Sequence, residues 1–290
     1  MFFTREVTIK STAPIILIIV GLVFPQQIPG QTPHALSTFQ ALPGLGRVQA
    51  INKSGEIAGQ TGGGDKVQGI LIDQSGTTTV ISVPGSAQTL IYGMDNSTRI
   101  VGAYNLPDHG SAHGFLYFQG AFTTIDFPGG ADTRARSINS PQRIVGDYND
   151  SSGHRHGFLY DTGHFTQMDV PGAVNTYIYG LNDLGTMVGQ YTDSQGHTHG
   201  FVSTGTGFTT LDVPFPGATD TFPYGISNPG LIVGSYIDSA GTHGFVNVSG
   251  VFTTIDAPDT PPGIGTFARS VNDNGQILIY GVIAQLTGVS

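Results

Sequence analysis

The 290-residue chain contains no cysteine and no tryptophan. Without cysteine there are no disulfides, no thiolate metal sites, no thiol nucleophile and no lipid-modified cysteine to serve as an anchor. A chain this long buries enough surface to fold outside the cell without disulfides, so their absence does not argue against export. Charge is also scarce: 11% of residues are charged, under half of the usual share of about 25%. Beyond residue 30 the only lysines are Lys53 and Lys66. Helix-rich soluble proteins draw on Lys, Glu and Ala, so this poverty argues against helices. Residues 1–30 hold two of the eleven basic residues and one of the twenty acidic ones, leaving nine against nineteen. An acidic chain without a basic stripe repels nucleic acid and anionic membranes, which argues against a nucleic-acid partner.

There is one long apolar run, at residues 13–24. Arg5 and Lys10 precede it and a polar Gln/Pro/Gly stretch follows. That order is the pattern of a secretory signal peptide. The run is shorter than the roughly 20 residues a membrane span needs. No small-x-small cleavage site is visible, so residues 1–30 are read as a signal peptide or an uncleaved anchor. The anchor would be the chain's only membrane contact. The expected destination is secreted, extracellular or cell-surface.

Glycine is abundant, 43 of 290 residues. Without a collagen period, so much glycine signals many tight turns. A fixed period then organises residues 34–290 into one expected repeat domain. His-Gly-Phe begins at His113, His156, His199 and His243, 43, 43 and 44 residues apart. Phe-Thr-x-x-Asp begins at Phe122, Phe165, Phe208 and Phe252 with the same spacing. Val-Gly ends at Gly102, Gly146, Gly189 and Gly234. An apolar residue followed by Asn recurs at Ile51-Asn52, Ile138-Asn139, Leu181-Asn182 and Val271-Asn272, and in the looser form Ile226-Ser227-Asn228.

The clearest unit predicts four strands, at residues 134–139, 143–148, 156–160 and 164–170, separated by short turns. Short links make neighbouring strands antiparallel. A four-strand meander of about 43 residues buries neither face alone and stacks on its copies; radial stacking gives a β-propeller. The expected fold is therefore all-β, a β-propeller of four-stranded antiparallel blades. About six blades are expected, with five as the alternative. Residues 36–44 resemble a fourth strand, and residues 267–272 and 276–282 a first and second. The N-terminal strand thus completes the last blade. The usual third strand is missing there, so residues 283–286 are either a degenerate copy of it or the blade is incomplete.

The run Ile-Val-Gly-x-Tyr, Asp-Ser-x-Gly and His-Gly-Phe resembles the bacterial extracellular repeat family named for its His-Ala-Phe tripeptide. The resemblance covers residues 36–282. It implies export and this architecture, and no chemistry, because the family has none assigned. This chain departs from the pattern by carrying Gly114, Gly157, Gly200 and Gly244 in place of Ala. The sorting signal some members carry at the C-terminus is not seen in residues 283–290.

The repeated histidines are the first candidates for chemistry. His154 and His197 join His156 and His199 in two His-x-His pairs, which on a strand would share one face and suit a metal. Strand geometry places copies in different blades more than about 10 Å apart, too far to share an ion. With no in-phase carboxylate or Cys completing either pair, no metal and no cofactor are expected. His113, His156, His199 and His243 are read instead as buried structural residues bonded to the in-phase Asp126, Asp169, Asp212 and Asp256. The Asp-Ser-x-Gly turns, best seen at residues 147–153, lack the distal Glu of a calcium loop and are read as turn-closing. Glu occurs only at Glu6 and Glu56, so a paired-carboxylate glycosidase has no support.

A functional residue should break the repeat, and one position does. A small residue recurs on the first strand (Ala50, Gly93, Ser137, Gly180, Gly225, Ser270), and the residue before it varies: Gln49, Tyr92, Arg136, Tyr179, Tyr224, Arg269. First strands line a propeller's channel, so these six form the expected ligand-binding ring, for a glycan or peptide. The competing reading is that they plug the channel. The expected function is binding or surface interaction without catalysis, the partner an unknown glycan or protein. A polysaccharide-acting enzyme and a surface-layer scaffold are the alternatives.

Overall fold

The computed structural model describes residues 18–19, 36–41, 47–63, 66–108, 110–257, 265–279 and 282–286. Apart from a two-residue strand at Ile18–Ile19, which pairs with Phe39 and Gln40, the expected signal segment lies outside the described residues. So does the rest of the C-terminal tail.

Every described element is a strand. Unit 3 shows the pattern: Ala131–Ile138, Ile144–Asn149, Arg155–Asp161 and His164–Gln167 form a four-stranded antiparallel sheet in chain order. Units 4 (residues 175–210) and 5 (residues 220–255) repeat it as separate four-stranded sheets. Units 1 (residues 47–81) and 2 (residues 88–124) are two such meanders joined by a single parallel pairing of Val67 with Gln88. In unit 6, Ala268–Val271, Gln276–Ile279 and Val282–Leu286 pair in succession, and Leu36–Ala41 pairs antiparallel with the last of them. Val282–Leu286 therefore takes the third place, and the N-terminal strand the fourth. The fourth strands are shorter than expected, since in unit 3 the strand ends at Gln167 and Asp169 lies beyond it.

The core sits between sheets, not within them. Val101 and Ile125 of unit 2 pack with Ala135, Ile144 and Phe158 of unit 3. Val145 of unit 3 packs with Ile178, Met187 and Phe201 of unit 4. Leu278 of unit 6 packs with Val48, Ile51 and Ile57 of unit 1. The phenylalanines of the tripeptide, Phe115, Phe158, Phe201 and Phe245, are among the most deeply buried side chains. This explains the Val-Gly marker. A Cβ on Gly146 would lie 1.9 Å from the Arg134 carbonyl oxygen and 2.8 Å from the Phe158 ring. The glycine of the tripeptide is equally constrained, since a Cβ on Gly157 would stand 2.4 Å from the Met168 carbonyl oxygen.

The recurrent Asn does two jobs. Its side-chain oxygen closes the turn after the first strand, as when Arg143 N–H donates to Asn139 Oδ1 at 2.9 Å. In units 3, 4 and 6 its amide then reaches the next unit. Asn139 donates to the Asn182 carbonyl at 3.0 Å, Asn182 to the Ser227 carbonyl at 3.2 Å, and Asn272 to the Asn52 carbonyl at 2.8 Å. Where unit 2 carries Asp95, which cannot donate, Arg99 pairs with it and reaches the Ser140 carbonyl at 2.7 Å instead.

Candidate functional site

The six residues that break the repeat line one cavity together: Gln49, Tyr92, Arg136, Tyr179, Tyr224 and Arg269. The backbone explains why they converge. In each first strand the pairing with the second slips by one residue, and the residue skipped is the ring residue. The slips fall at Val48/Ala50, Ile91/Gly93, Ala135/Ser137, Ile178/Gly180, Pro223/Gly225 and Ala268/Ser270. Such a bulge frees one residue from the ladder and re-aims its side chain. The small residue after the bulge lets adjacent first strands close up. A Cβ on Gly93 would stand 2.6 Å from the Arg136 carbonyl oxygen.

The ring is knitted by its own side chains. The Arg136 guanidinium lies 4.4 Å from the Tyr92 ring centre and 5.4 Å from that of Tyr179. Tyr179 and Tyr224 meet edge to face at 5.5 Å. The Arg269 guanidinium lies 4.3 Å over Tyr224. Burial raises the Tyr179 and Tyr224 phenols above their ordinary range, so both stay protonated donors. Burial works against the Arg136 charge, but Asp147 outweighs it and keeps the guanidinium firmly protonated.

The ring forms a waist. On one side the cavity, of about 90 Å³, opens between the turns that follow the first strands and is bordered by Asp95, Asp183 and Asp273. Asp183 accepts from Ser140 N–H at 2.7 Å and from the Asn228 amide at 2.9 Å. On the other side a cavity of about 80 Å³ is lined by the six ring residues themselves, and in units 4, 5 and 6 the residue two places earlier lies against its ring residue. Tyr177 stacks on Tyr179 at 6.1 Å, Phe222 on Tyr224 at 6.4 Å, and Phe267 lies 5.1 Å from the Arg269 guanidinium. Each side has room for several waters. A ligand would therefore insert a group of a few heavy atoms and rest the remainder on the mouth.

Unit 3 carries a charge network that sequence reasoning missed. Asp147 is fully buried, its two oxygens held by Arg136 Nε at 2.6 Å and an Arg155 terminal nitrogen at 2.7 Å. Arg155 also pairs with Asp132, which takes a further bond from Arg134 at 2.9 Å. Asp147 is thus a strand residue facing arginines, not part of the turn with which it was grouped. The available signal was that Arg155 and Asp147 also break the repeat, their counterparts in unit 4 being Thr198 and Gln190.

The histidines fall elsewhere, toward the outer strands. Each repeated ring nitrogen Nδ1 meets its expected Asp: His113–Asp126 at 2.8 Å, His156–Asp169 at 2.7 Å, His199–Asp212 at 2.8 Å and His243–Asp256 at 2.9 Å. They are not buried: the side chain of His113 is 36% exposed and that of His156 22%. In-phase carboxylates do approach the other nitrogen. Nε2 lies 3.3 Å from Asp150 in His156, 3.5 Å from Asp193 in His199 and 3.2 Å from Asp238 in His243. The His-x-His pairs do not share a strand, because the third strands begin at Arg155 and Thr198, leaving His154 and His197 in the preceding turns. Among the described residues no group of three or more His, Cys, Asp or Glu side chains is arranged to hold a metal ion. Asp150 closes its own turn, accepting from the Ser152 and His154 N–H groups at 2.8 and 2.9 Å.

No family model and no curated protein matches the chain. Solved structures do. AofleA from Arthrobotrys oligospora is similar with a TM-score of 0.54 and 13% identity, over 84% of this chain and 84% of that one. TolB from Acinetobacter baumannii gives 0.56 and 15% over 71% of this chain, which spans about half of TolB, 53%. A gluconolactonase from Xanthomonas campestris gives 0.51 and 14%, over 86% and 89%. At these identities the likeness is one of fold alone.

Proposed function

We propose that the chain is an exported binding protein whose six units stack as blades of a β-propeller, with a glycan or short peptide bound at the cavity mouth. The observation that carries this reading is the convergence on one cavity of the six first-strand residues that vary from copy to copy. Positions that follow the repeat are occupied in turns, in packing between sheets or in His–Asp pairs. The varying first-strand positions are freed from the ladder and face a cavity lined by aromatic rings and guanidinium groups, the usual make-up of a binding site. The ring-like arrangement is supported by the amide of Asn272 reaching Asn52 and by Leu278 packing on unit 1. The likeness of fold to a gluconolactonase does not favour catalysis, because one fold hosts many functions. Asp147, the buried carboxylate at the waist, has both oxygens taken by arginines and is no free base.

The test is a glycan array and a peptide library probed with the full chain and with the Tyr179→Ala plus Tyr224→Ala variant. A saturable hit lost in the variant, at unchanged far-UV circular dichroism, is expected. Blank results on both from folded protein would overturn a cavity ligand and favour a scaffold.

A further inference from the structure

We infer that the cavity selects an anionic saccharide, one whose carboxylate is received by Arg269. This deepens the binding reading above and rests on it. Basic residues are rare in this chain, nine beyond residue 30, and four of them lie on first strands: Arg47, Arg134, Arg136 and Arg269. A fifth, Arg155, is tied to Arg136 through Asp147. The six residues of the waist include two arginines, Arg136 and Arg269, and no carboxylate, in a chain whose formal charge is −9. One mouth is bordered by Asp95, Asp183 and Asp273, of which only Asp95 has an arginine partner among the described residues. An anion therefore meets guanidinium groups at the waist and carboxylates at that mouth.

The two ring arginines differ. Arg136 is neutralised by the buried Asp147 carboxylate. Arg269 has no carboxylate partner among the described residues, and its guanidinium lies over the Tyr224 ring at 4.3 Å and the Phe267 ring at 5.1 Å. A guanidinium packed on aromatic rings keeps its planar fork of donors pre-organised for a carboxylate. In units 4, 5 and 6 Tyr177, Phe222 and Phe267, two places before the ring residue, each lie against it. Flat apolar faces beside a charged fork suit a sugar ring bearing a carboxylate better than an extended acidic peptide, which would present backbone amides to rings with no sheet edge beside them.

The experiment is calorimetric titration of the full chain with galacturonate trimer, its methyl ester and the neutral galactose trimer. Wild type, Arg269→Gln, Arg269→Lys and the remote control Arg143→Gln are compared. The acid is expected to bind at least about tenfold more tightly than the ester or the neutral trimer, and to weaken as salt rises. Arg269→Gln should abolish that preference, Arg269→Lys should keep part of it, and Arg143→Gln should leave it unchanged. Equal binding of acid, ester and neutral trimer would overturn the anionic assignment and leave the cavity reading standing. An acid preference that survives in folded Arg269→Gln would overturn the assignment of the carboxylate to Arg269. Binding of a tetrapeptide with a free C-terminal carboxylate, with none of the trimers binding, would overturn the sugar. No binding of any of these probes overturns the acidic-sugar class, and the array then decides separately whether the cavity binds anything.

Discussion

Asp147 offers the sharpest test of how unit 3 is held together. Its side chain is inaccessible to solvent, and its two oxygens are divided between Arg136 at 2.6 Å and Arg155 at 2.7 Å, whose side chains are 15% and 11% exposed. Asp147→Asn keeps the shape and removes the charge, leaving two poorly solvated guanidinium groups facing a neutral amide. Breaking a buried pair from one side costs about 3–5 kcal/mol. In a domain of this size each kcal/mol moves Tm by about 2–4 °C, so a fall of about 6–20 °C is expected by scanning calorimetry at pH 7. The chain supplies its own control. Asp147→Gln, Arg136→Tyr and Arg155→Thr together give unit 3 the residues of unit 4, namely Gln190, Tyr179 and Thr198. Replacing buried ion pairs with uncharged groups is often neutral or stabilising, and Asp132 keeps Arg134 as its partner. The triple variant should therefore recover most of the stability that the single one loses. A single variant within about 1 kcal/mol of wild type, or a triple variant no more stable than the single, would refute the reasoning.

Two further outcomes follow from the geometry. Burial works against charging His156 and His243, but bonds to Asp169 and Asp256, with Asp150 and Asp238 beyond, raise both above the usual imidazole range; in His199 the bond to Asp212 leads the same shift. Their stabilisation is complete below about pH 6.5 and fades as pH rises through the raised values. On the acid side Asp193, held down to about 2 chiefly by the His197 N–H, contributes above about pH 4 and loses its contribution as pH falls toward 2. Tm should peak between these limits and decline toward pH 8.5, and a His156→Gln, His199→Gln, His243→Gln variant should lose that alkaline decline; an equally steep fall in the variant would count against the pairing. Gly157→Ala places a Cβ 2.4 Å from the Met168 carbonyl and should cost about 1–3 kcal/mol in urea unfolding, whereas Gly207→Ala, with open space around it, should be silent.

The meander was legible because its markers are structural in every copy. Val-Gly marks where the first strand's carbonyl leaves no room for a Cβ, His-Gly-Phe marks the core aromatic, and the recurrent Asn marks the turn that ties one unit to the next. The waist was legible for the opposite reason: its residues vary where everything around them repeats. What escaped reading depends on neighbours that are remote in sequence. The bulge at Arg136 is a relation between two strands, and alternation along one strand does not reveal it. Tyr177, Phe222 and Phe267 look like ordinary strand aromatics until the stacking contacts place them beside the ring. The shared strand face expected of the His-x-His pairs is not formed, because His154 and His197 lie in the turn before the strand.

The network in unit 3 bears on the choice between a binding cavity and a plug. A plug needs only volume, and Tyr179 and Tyr224 supply it without a buried carboxylate. Arg136 by contrast is lodged between Tyr92 and Tyr179 and needs Asp147 beneath it to remain charged and oriented there. Asp147 in turn needs Arg155, and Arg155 is braced by Asp132, which holds a positive φ of 53° unusual for a residue other than glycine. Units 4 and 5 fill the corresponding second-strand position with Gln190 and Ser235 and fold without such a chain of dependence. Desolvating these charges gains nothing over an uncharged set in stability alone. The arrangement makes sense if what it secures is the position of a guanidinium at the waist, and the triple variant separates the two roles: it should recover most of the stability and fail to bind.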